Sequence, residues 1–462
     1  MGEKMHPALG HKYQIVQFTR GVGIEVGEGI TDFTEPLYPH FRKDDLDHRL
    51  ARRTLDFVLV AGHEGTDRPH PFDYIPLIKA GGYLVSSERS GLRVWRVTEG
   101  EQHHSGIVEE SLTIPGPSVC VVRYGGFGDM IQAANILPAL KRAGFTVYVM
   151  TMPKGREIIE HDPHVDHFLL QDTDQVPNGE LTAYWAEQAK RFTKFVNLSE
   201  SVEGTLLTYP GRANHAWPDS VRRSELGSKN YLEWTAQLAE IDYTSETRFY
   251  PTDAERAAVE RFLTRIRLQA ANAPAAGPVN APPTFNIMWT LSGSSVHKMY
   301  PHQDDVIANL LAAFPDATIT LSGDDLCRML EAGWEDHPRV HCTSGKIGIR
   351  ETLALAQAMD CVVGPETGVL NAVGFEPMGK VVLLSHSSPE NLTKHWVNTH
   401  VMQPFTDCHP CHRLHHDRTF CHEHEISGAA QCAWDIPPYS VFTAIAQVHG
   451  EWKQLRDLRH AA

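Results

Sequence analysis

Cysteine is scarce in this chain, with 8 cysteines among 462 residues. So few cysteines cannot form a disulfide scaffold at this length, and Cys120, Cys327, Cys342 and Cys361 stand singly in surroundings typical of small core residues. Apolar runs are also short, because no window approaches the roughly 18 apolar residues that a membrane span needs. The first residues lack the basic and then apolar layout of a secretory signal. These absences predict a cytoplasmic protein without stable membrane insertion.

Basic residues are fewer than acidic residues in this chain. The chain has 42 lysines and arginines against 57 aspartates and glutamates, so its formal net charge is −15. That balance disfavours broad attraction to nucleic acid or anionic lipid, although it is compatible with a local basic groove. A hydrophobic fraction of 42% with 21% charged residues is typical of a globular chain with large cores. Global disorder is therefore excluded, and several domains of roughly 100–200 residues are expected.

A linker divides the chain. Residues 270–283 read AANAPAAGPVNAPP, a stretch of Ala, Pro, Gly, Val and Asn without charge or periodicity. We therefore predict a small N-terminal α/β domain over residues 1–114, a first large domain over 118–269 and a second large domain over 284–462.

Both large domains alternate strand and helix patterns. The first opens with the apolar run VCVVRY, the glycine-rich turn GGFGD, the helical pattern MIQAANILPALKRAG and the strand pattern TVYVMTM. Similar units follow the linker, from FNIMWTL to KVVLLSH. Strands that alternate with helices predict parallel sheets, and such sheets bind ligands outside the carboxyl ends of their strands. The pattern predicts two doubly wound, Rossmann-like domains that face a cleft.

Four segments, taken together and in this order, resemble the heptosyltransferases of glycosyltransferase family 9. They are VVRYGGFGDMIQAANILPALKRAG at 121–144, SGSSVHKMYP at 292–301, VVGPETGVLNAVG at 362–374, and the cysteine-rich tail. The resemblance covers about three quarters of the chain, from residue 118 onward. It implies a GT-B fold and the transfer of a sugar from a nucleotide diphosphate carrier to an acceptor hydroxyl, with ADP-heptose as the family's commonest donor.

Asp129 ends the glycine-rich turn and begins the helix that follows it. The resemblance implies that Asp129 is the general base, which is needed because an alcohol is a poor nucleophile. Its position also fits a helix N-terminal acid, stabilised by the helix macrodipole by about 0.3–1 kcal/mol. The neighbouring Gly125, Gly126 and Gly128 are predicted to bind the substrate.

Lys298 matches the lysine that the family sets against the nucleotide diphosphate, where an ammonium stabilises the charge growing on the leaving phosphate. A solvated loop lysine is the alternative interpretation. Hydroxyl and N–H groups near Lys298, and the helix start after PETG, would bind the same phosphates. Asp324 and Asp325 would meet the ribose or base, and Glu366 and Asn371 depart from the residues usual in the family. The residues predicted to bind the donor are Ser292, Gly293, Ser294, Ser295, Asp324, Glu366, Thr367, Gly368 and Asn371.

Cys408, Cys411, Cys421 and Cys432 cluster near the C-terminus among histidines. This ligand set is typical of a tetrahedral structural zinc site, but the second pair does not repeat the C-x-x-C spacing of the first. A structural metal, a reduced packing cluster and a disulfide all stay open. The transfer itself is predicted to need no cofactor, because Lys298 and helix N-termini already stabilise the leaving group.

The first 114 residues contain two pieces that resemble S-adenosylmethionine methyltransferases, GIEVGEG at 23–29 and the segment at 55–85. Only about 25 residues separate them, too few for the further strands and the ribose-binding acid of a working methyltransferase. We therefore expect a shortened methyltransferase-like accessory domain that does not methylate. The preferred interpretation is a small α/β domain that uses its glycines as turns.

Three functions are compatible with these observations. The first is an inverting, metal-independent glycosyltransferase whose acceptor is a glycan or a lipid-linked glycan, and the presence of both Asp129 and Lys298 favours it. The second is a non-catalytic scaffold that kept the fold. The third is a glycosyltransferase that acts on modified DNA, which the net charge disfavours. The basic residues that would guide DNA are Lys190, Arg191, Lys194, Arg222 and Arg223.

Overall fold

The computed structural model describes residues 12–27, 54–61, 71–88, 91–99, 105–112, 114–171, 176, 178–199, 213–244, 247–271, 284–293, 295–413 and 421–461. The described residues group into two compact units. The first unit takes the residues up to Val122 together with Gly144–Arg156 and Asp166–Val196, and the second takes Arg123–Ala143, Glu157–Val165 and the residues from Asn197 onward. The predicted domain limits stay a prediction, and most of the predicted linker lies outside the described residues.

The elements alternate between strand and helix over most of the described chain. The strands are β1 (Gly23–Gly27), β2 (Leu55–Ala61), β3 (Ile78–Glu88), β4 (Gly91–Glu99), β5 (Ser105–Glu109), β6 (Ser118–Val122), β7 (Thr146–Thr151), β8 (His167–Leu170), β9 (Lys194–Asn197), β10 (Phe285–Thr290), β11 (Ala317–Ser322), β12 (Val340–Cys342), β13 (Cys361–Pro365), β14 (Gly379–Leu383) and β15 (Thr399–Met402). The helices are α1 (Lys12–Ile15), α2 (Phe127–Ala134), α3 (Leu137–Arg142), α4 (Pro153–Ile159), α5 (Leu181–Ala189), α6 (Asp219–Leu226), α7 (Tyr231–Leu238), α8 (Asp253–Ala271), α9 (Gln303–Ala313), α10 (Ile349–Gln357), α11 (Gly368–Val373), α12 (Gln431–Trp434) and α13 (Pro438–Ala461).

The N-terminal sheet has the spatial order β1-β2-β3-β4-β5. Strands β1, β2 and β3 are parallel, whereas β3, β4 and β5 pair in antiparallel fashion. Its core includes Ile24, Val58, Leu84 and Trp95. Residues 28–53 and 62–70 of the predicted methyltransferase-like domain lie outside the described residues, so that resemblance stays a prediction.

The second sheet of the first unit has the order β8-β7-β6-β9, with β6, β7 and β8 parallel. Helix α5 of this unit packs against α1. Arg191, which follows α5, donates to the side-chain oxygens of Gln17 after α1 at 2.7 Å and of Gln188 within α5 at 2.8 Å. The N-terminal segment is thereby joined to the element that precedes β9.

The six-stranded sheet has the order β12-β11-β10-β13-β14-β15, and all of its pairs are parallel. Counted from β10, this is the order 3-2-1-4-5-6 of a doubly wound fold, which reverses between β10 and β13. Every residue of β10, β11 and β13 is buried, as expected for strands covered on both faces. Trp289, Ile319 and Val363 lie in its core with Val441 and Ile445 of α13. The predicted α/β fold with parallel sheets is confirmed.

No helix in the described part of the chain is long and apolar enough to cross a membrane.

Candidate functional site

A pocket of about 740 Å³ lies within the second unit at the carboxyl ends of β10, β11 and β13. This edge is where a doubly wound sheet binds its ligands, because the strand order reverses there. The pocket brings together twelve of the predicted site residues, as well as Asp325. They are Gly125, Gly126, Gly128, Asp129, Ser292, Gly293, Lys298, Asp324, Glu366, Thr367, Gly368 and Asn371. Of the other two, Ser295 lines a different cavity and Ser294 lies outside the described residues.

Further polar residues of the pocket wall were not predicted. Gln132 follows Asp129 by three positions on α2, so its helical spacing was an available signal. His386 comes soon after β14, where the argument from strand ends would also have found it. Tyr231 begins α7, and no sequence pattern connects that helix with the pocket.

The Asp129 carboxylate is bound through both oxygens. Oδ2 accepts a hydrogen bond from the Gly126 backbone N–H at 2.7 Å, and Oδ1 accepts one from Nη2 of Arg123 at 2.5 Å. Gly125 has φ +140°, and a Cβ there would lie 2.7 Å from Oδ2, so this turn requires glycine. Asp129 therefore caps α2, as the structural interpretation predicted, and it also lines the pocket with its side chain 25% exposed. Its role as a base stays a prediction.

Two helices begin side by side at glycines in the pocket wall. A Cβ on Gly368 would lie 2.8 Å from the backbone nitrogen of Gly128, and a Cβ on Gly128 would lie 2.6 Å from Nδ2 of Asn371. The starts of α2 and α11 therefore approach backbone to backbone, which a larger residue would prevent. Both helix N-termini carry partial positive charge toward the pocket region.

Lys298 is buried, with 8% of its surface exposed. The interpretation as a solvated loop lysine is therefore wrong. Its Nζ donates to the backbone carbonyl of Glu366 at 3.0 Å, one of the three hydrogen bonds that an ammonium can donate. Burial lowers the pKa of Lys298 below its usual range, and the carboxylates of Glu366 and Asp129 counteract this shift.

Glu366 is held in the pocket wall by several hydrogen-bond donors. Its Oε1 accepts hydrogen bonds from the backbone N–H groups of Ser385 at 2.6 Å, His386 at 2.9 Å and Ser387 at 3.2 Å, and from the Ser385 hydroxyl at 2.9 Å. Its Oε2 lies 3.0 Å from Nδ1 of His386. Although burial alone would raise it, the charges of His386 and Lys298 and these donors hold the pKa of Glu366 well below its usual range. These bonds hold Glu366 in the wall of the pocket that it lines, and its role in donor binding stays a prediction.

Two other predicted residues combine local bonds with a place in the pocket wall. Thr367 caps α11, because its hydroxyl accepts the Leu370 N–H at 3.4 Å. Asp324 accepts the Cys327 N–H at 3.1 Å through Oδ1, and each carboxylate oxygen can accept a further bond.

A second, smaller cavity of about 70 Å³ is lined by the four cysteines of the tail, called here the cysteine quartet. None of Cys408, Cys411, Cys421 and Cys432 is in a disulfide. Burial and the neighbouring thiols raise the pKa of Cys432 above its usual range. Among the described residues, no three or more Cys, His, Asp and Glu side chains converge closely enough to hold a metal ion. Lys298, Ser295, His297 and His386 also line this cavity.

The basic residues proposed to guide DNA are largely used inside the fold. Arg222 is buried and donates to the carbonyls of Cys411 at 3.1 Å and His215 at 3.2 Å. Arg223 donates to the carbonyl of Pro410 at 3.3 Å, and Arg191 bonds the two glutamines described above. Of these three arginines only Arg222 is buried, and the hypothesis of a DNA acceptor stays a prediction.

No family model matches the sequence, and no curated protein matches it. Solved glycosyltransferase structures are similar in fold. A family 9 glycosyltransferase of Veillonella parvula has a TM-score of 0.50 and 12% identity, over 73% of this chain and 99% of that chain. The ADP-heptose LPS heptosyltransferase II of E. coli has a TM-score of 0.48 and 13% identity over the same shares. The iron-containing dodecameric glycosyltransferase TibC of enterotoxigenic E. coli has a TM-score of 0.45 and 13% identity, over 79% of this chain and 86% of that chain. The Veillonella match shows that the chain shares the fold of a family 9 glycosyltransferase.

The buried charges predict a large stability loss in Glu366→Ala. Removing the carboxylate leaves His386 and Lys298 buried without their partner, which typically lowers the free energy of unfolding by about 3–5 kcal/mol. Folding lowers the pKa of Glu366 from its ordinary value of 4.5. The contribution of this carboxylate to the free energy of unfolding is therefore complete above pH 4.5, and it is lost as the pH falls through the lower pKa of the folded protein. Urea unfolding of wild type and variant at neutral and acidic pH measures both effects.

The matched control is Glu351→Ala, on an exposed position of α10. It should change the free energy of unfolding by less than about 0.5 kcal/mol. Equal unfolding midpoints for the two variants would contradict the role assigned to Glu366.

Proposed function

We propose that the chain is a cytoplasmic, inverting glycosyltransferase that moves a sugar from a nucleotide diphosphate carrier to an acceptor hydroxyl. The observation that carries this proposal is the single pocket that Asp129 and Lys298 line together at the strand ends. One chain of similar fold is named as an ADP-heptose heptosyltransferase, so ADP-heptose is the first donor that we propose. A glycan or a lipid-linked glycan is the proposed acceptor.

In the proposed reaction, Asp129 takes the proton of the acceptor hydroxyl. The freed oxygen forms a bond to the anomeric carbon of the sugar while the bond from that carbon to the diphosphate oxygen breaks, so the anomeric configuration inverts. The electron pair leaves with the nucleotide diphosphate, whose negative charge grows during the step. An ammonium at Lys298 stabilises that charge best in the transition state.

The electrostatics of the pocket support this division of roles. The charge of Asp129 acts to raise the pKa of Lys298, so the two groups interact electrostatically in the protein without ligand. Burial makes the Lys298 ammonium costly, and an incoming diphosphate would compensate it. Ser292, Gly293 and Thr367 also line the pocket, and like Lys298 they follow the linker in the sequence. We therefore propose that the donor binds to residues that follow the linker and that the acceptor approaches Asp129.

Nucleotide-sugar turnover tests the proposal against the non-catalytic alternative. Purified protein is incubated with ADP-heptose, ADP-glucose, UDP-glucose and GDP-mannose, and release of the nucleotide diphosphate is measured, with Asp129→Asn as the matched control. Release from one donor that exceeds the control supports the enzyme. Nucleotide diphosphate binding by calorimetry without release from any donor would instead favour the scaffold.

Substitution of Lys298 should affect nucleotide binding, whereas substitution of Asp129 should affect only turnover. Lys298→Ala should weaken ADP binding by about 1.5–3 kcal/mol, the range for a charge-assisted hydrogen bond. Asp129→Ala should leave ADP affinity almost unchanged and abolish transfer. Because burial lowers the pKa of Lys298, wild-type affinity should fall as pH rises, and the fall should begin below the ordinary lysine value of 10.5. Calorimetric titration with ADP across alkaline pH measures this.

The same titration of Lys298→Ala should lack the alkaline loss of affinity. The opposite division, in which Asp129→Ala abolishes ADP binding and Lys298→Ala does not, would overturn the assignment of donor and acceptor sides.

We further propose a structural metal, with zinc as the first candidate, held by Cys408, Cys411, Cys421 and Cys432. Four thiols that line one small cavity support this, since thiolates are preferred zinc ligands. Their sulfurs would have to converge further than they do in the structure, and the proposed transfer step does not pass through the metal.

Metal analysis tests this proposal. Elemental analysis of purified protein should find about one zinc per chain, and Cys411→Ser should lose it. Cys342→Ser is the control, because this cysteine lies outside the quartet and should keep the metal. Metal-free wild type with four reactive thiols would instead support the reduced packing cluster.

A further inference from the structure

Arg123 connects a strand end with the pocket. It follows β6 directly and is only 2% exposed. Its Nη1 donates to the carbonyl of Leu198 at 3.2 Å, and its Nη2 donates to Oδ1 of Asp129 at 2.5 Å. Leu198 follows β9 directly in the chain, so the guanidinium joins the backbone after β9 to the Asp129 carboxylate.

These hydrogen bonds restrict the position of Arg123. A buried guanidinium is costly unless it is paired, and here it has a carboxylate and a carbonyl as partners. Because the carbonyl belongs to the backbone, the guanidinium cannot follow a movement of Asp129 without losing a bond. The position of Arg123 is thus set by the fold rather than by the ligand.

The Asp129 carboxylate is in turn held from two directions. Arg123 binds one oxygen and the Gly126 N–H binds the other, so rotation of the carboxylate would break both hydrogen bonds. Each oxygen keeps a further lone pair, and the side chain is 25% exposed in the pocket wall. A proton can therefore still be accepted from the pocket side.

We propose that Arg123 is a positioning residue for the catalytic base: it holds the Asp129 carboxylate in the orientation that directs a lone pair toward the acceptor hydroxyl. This inference rests on the proposed function. A base must lie within hydrogen-bond reach of the proton that it takes, about 2.6–3.2 Å between heavy atoms. A misplacement of about 1 Å can cost 10²-fold in rate.

The test compares Arg123→Met and Arg123→Lys with the wild type, on the nucleotide sugar that the wild type turns over. Arg123→Met should lower kcat by about 10²-fold and leave the KM for the donor and the ADP affinity unchanged, since Arg123 does not line the donor pocket. Arg123→Lys keeps a charge and can replace one of the two hydrogen bonds, so it should recover part of the lost kcat.

Arg339→Met is the matched control. Arg339 donates to the carbonyls of Leu311, Phe314 and Ala317 and does not line the donor pocket. Its loss removes a structural arginine of the same unit, so it should lower the unfolding temperature and keep kcat. If Arg123→Met changed kcat no more than Arg339→Met, Arg123 would not position the base.

A double-mutant comparison separates positioning from a general loss of structure. In the Asp129→Asn background, Arg123→Met or Arg123→Lys should change the residual turnover less than about twofold, because the group on which Arg123 acts is gone. An equal loss in both backgrounds would overturn the inference while leaving the glycosyltransferase intact. A wild type that turned over no nucleotide sugar would overturn the proposed function, and this inference with it.

Discussion

Paired burial of charge is the constraint on which the pocket of the second unit depends. Glu366, Lys298 and Arg123 are each less than a tenth exposed, and each would cost several kcal/mol without a partner. The fold supplies those partners before any ligand arrives: N–H groups after β14 for Glu366, a carbonyl for Lys298, and Asp129 for Arg123. The pocket wall is consequently preorganised, because moving one of these groups would leave another charge unpaired.

This arrangement distinguishes two carboxylates of similar sequence context. Both residues come soon after a buried strand: Asp129 lies in the first turn of α2, and Glu366 lies between β13 and α11. Asp129 accepts from one arginine and one N–H and its side chain is 25% exposed, whereas one oxygen of Glu366 accepts from four donors and the residue is 6% exposed. The number of donors around each carboxylate thus goes with the difference in their exposure.

Much of the fold and the grouping of the site followed from the sequence. Alternating strand and helix patterns indicated parallel sheets, and the rule of strand ends brought Asp129, Lys298 and Asp324 to one pocket. The direction in which Glu366 points could not be predicted, because its partners belong to the neighbouring strand end. The same holds for Arg222, which looks like a surface charge in the sequence but is buried against the carbonyls of a distant segment.

The wall between the donor pocket and the cysteine cavity has a consequence for the tail of the chain. Lys298 and His386 line both spaces, so the cysteines of the tail lie behind two groups of the pocket wall. Loss or displacement of the tail would admit water behind Lys298 and raise the local dielectric constant. Coulomb attraction is inversely proportional to that constant, so an ammonium at Lys298 would then attract an anion in the pocket less strongly. The cysteine-rich tail thus helps to keep the dielectric constant around Lys298 low. Replacing the tail would therefore change the electrostatics of the pocket at the strand ends.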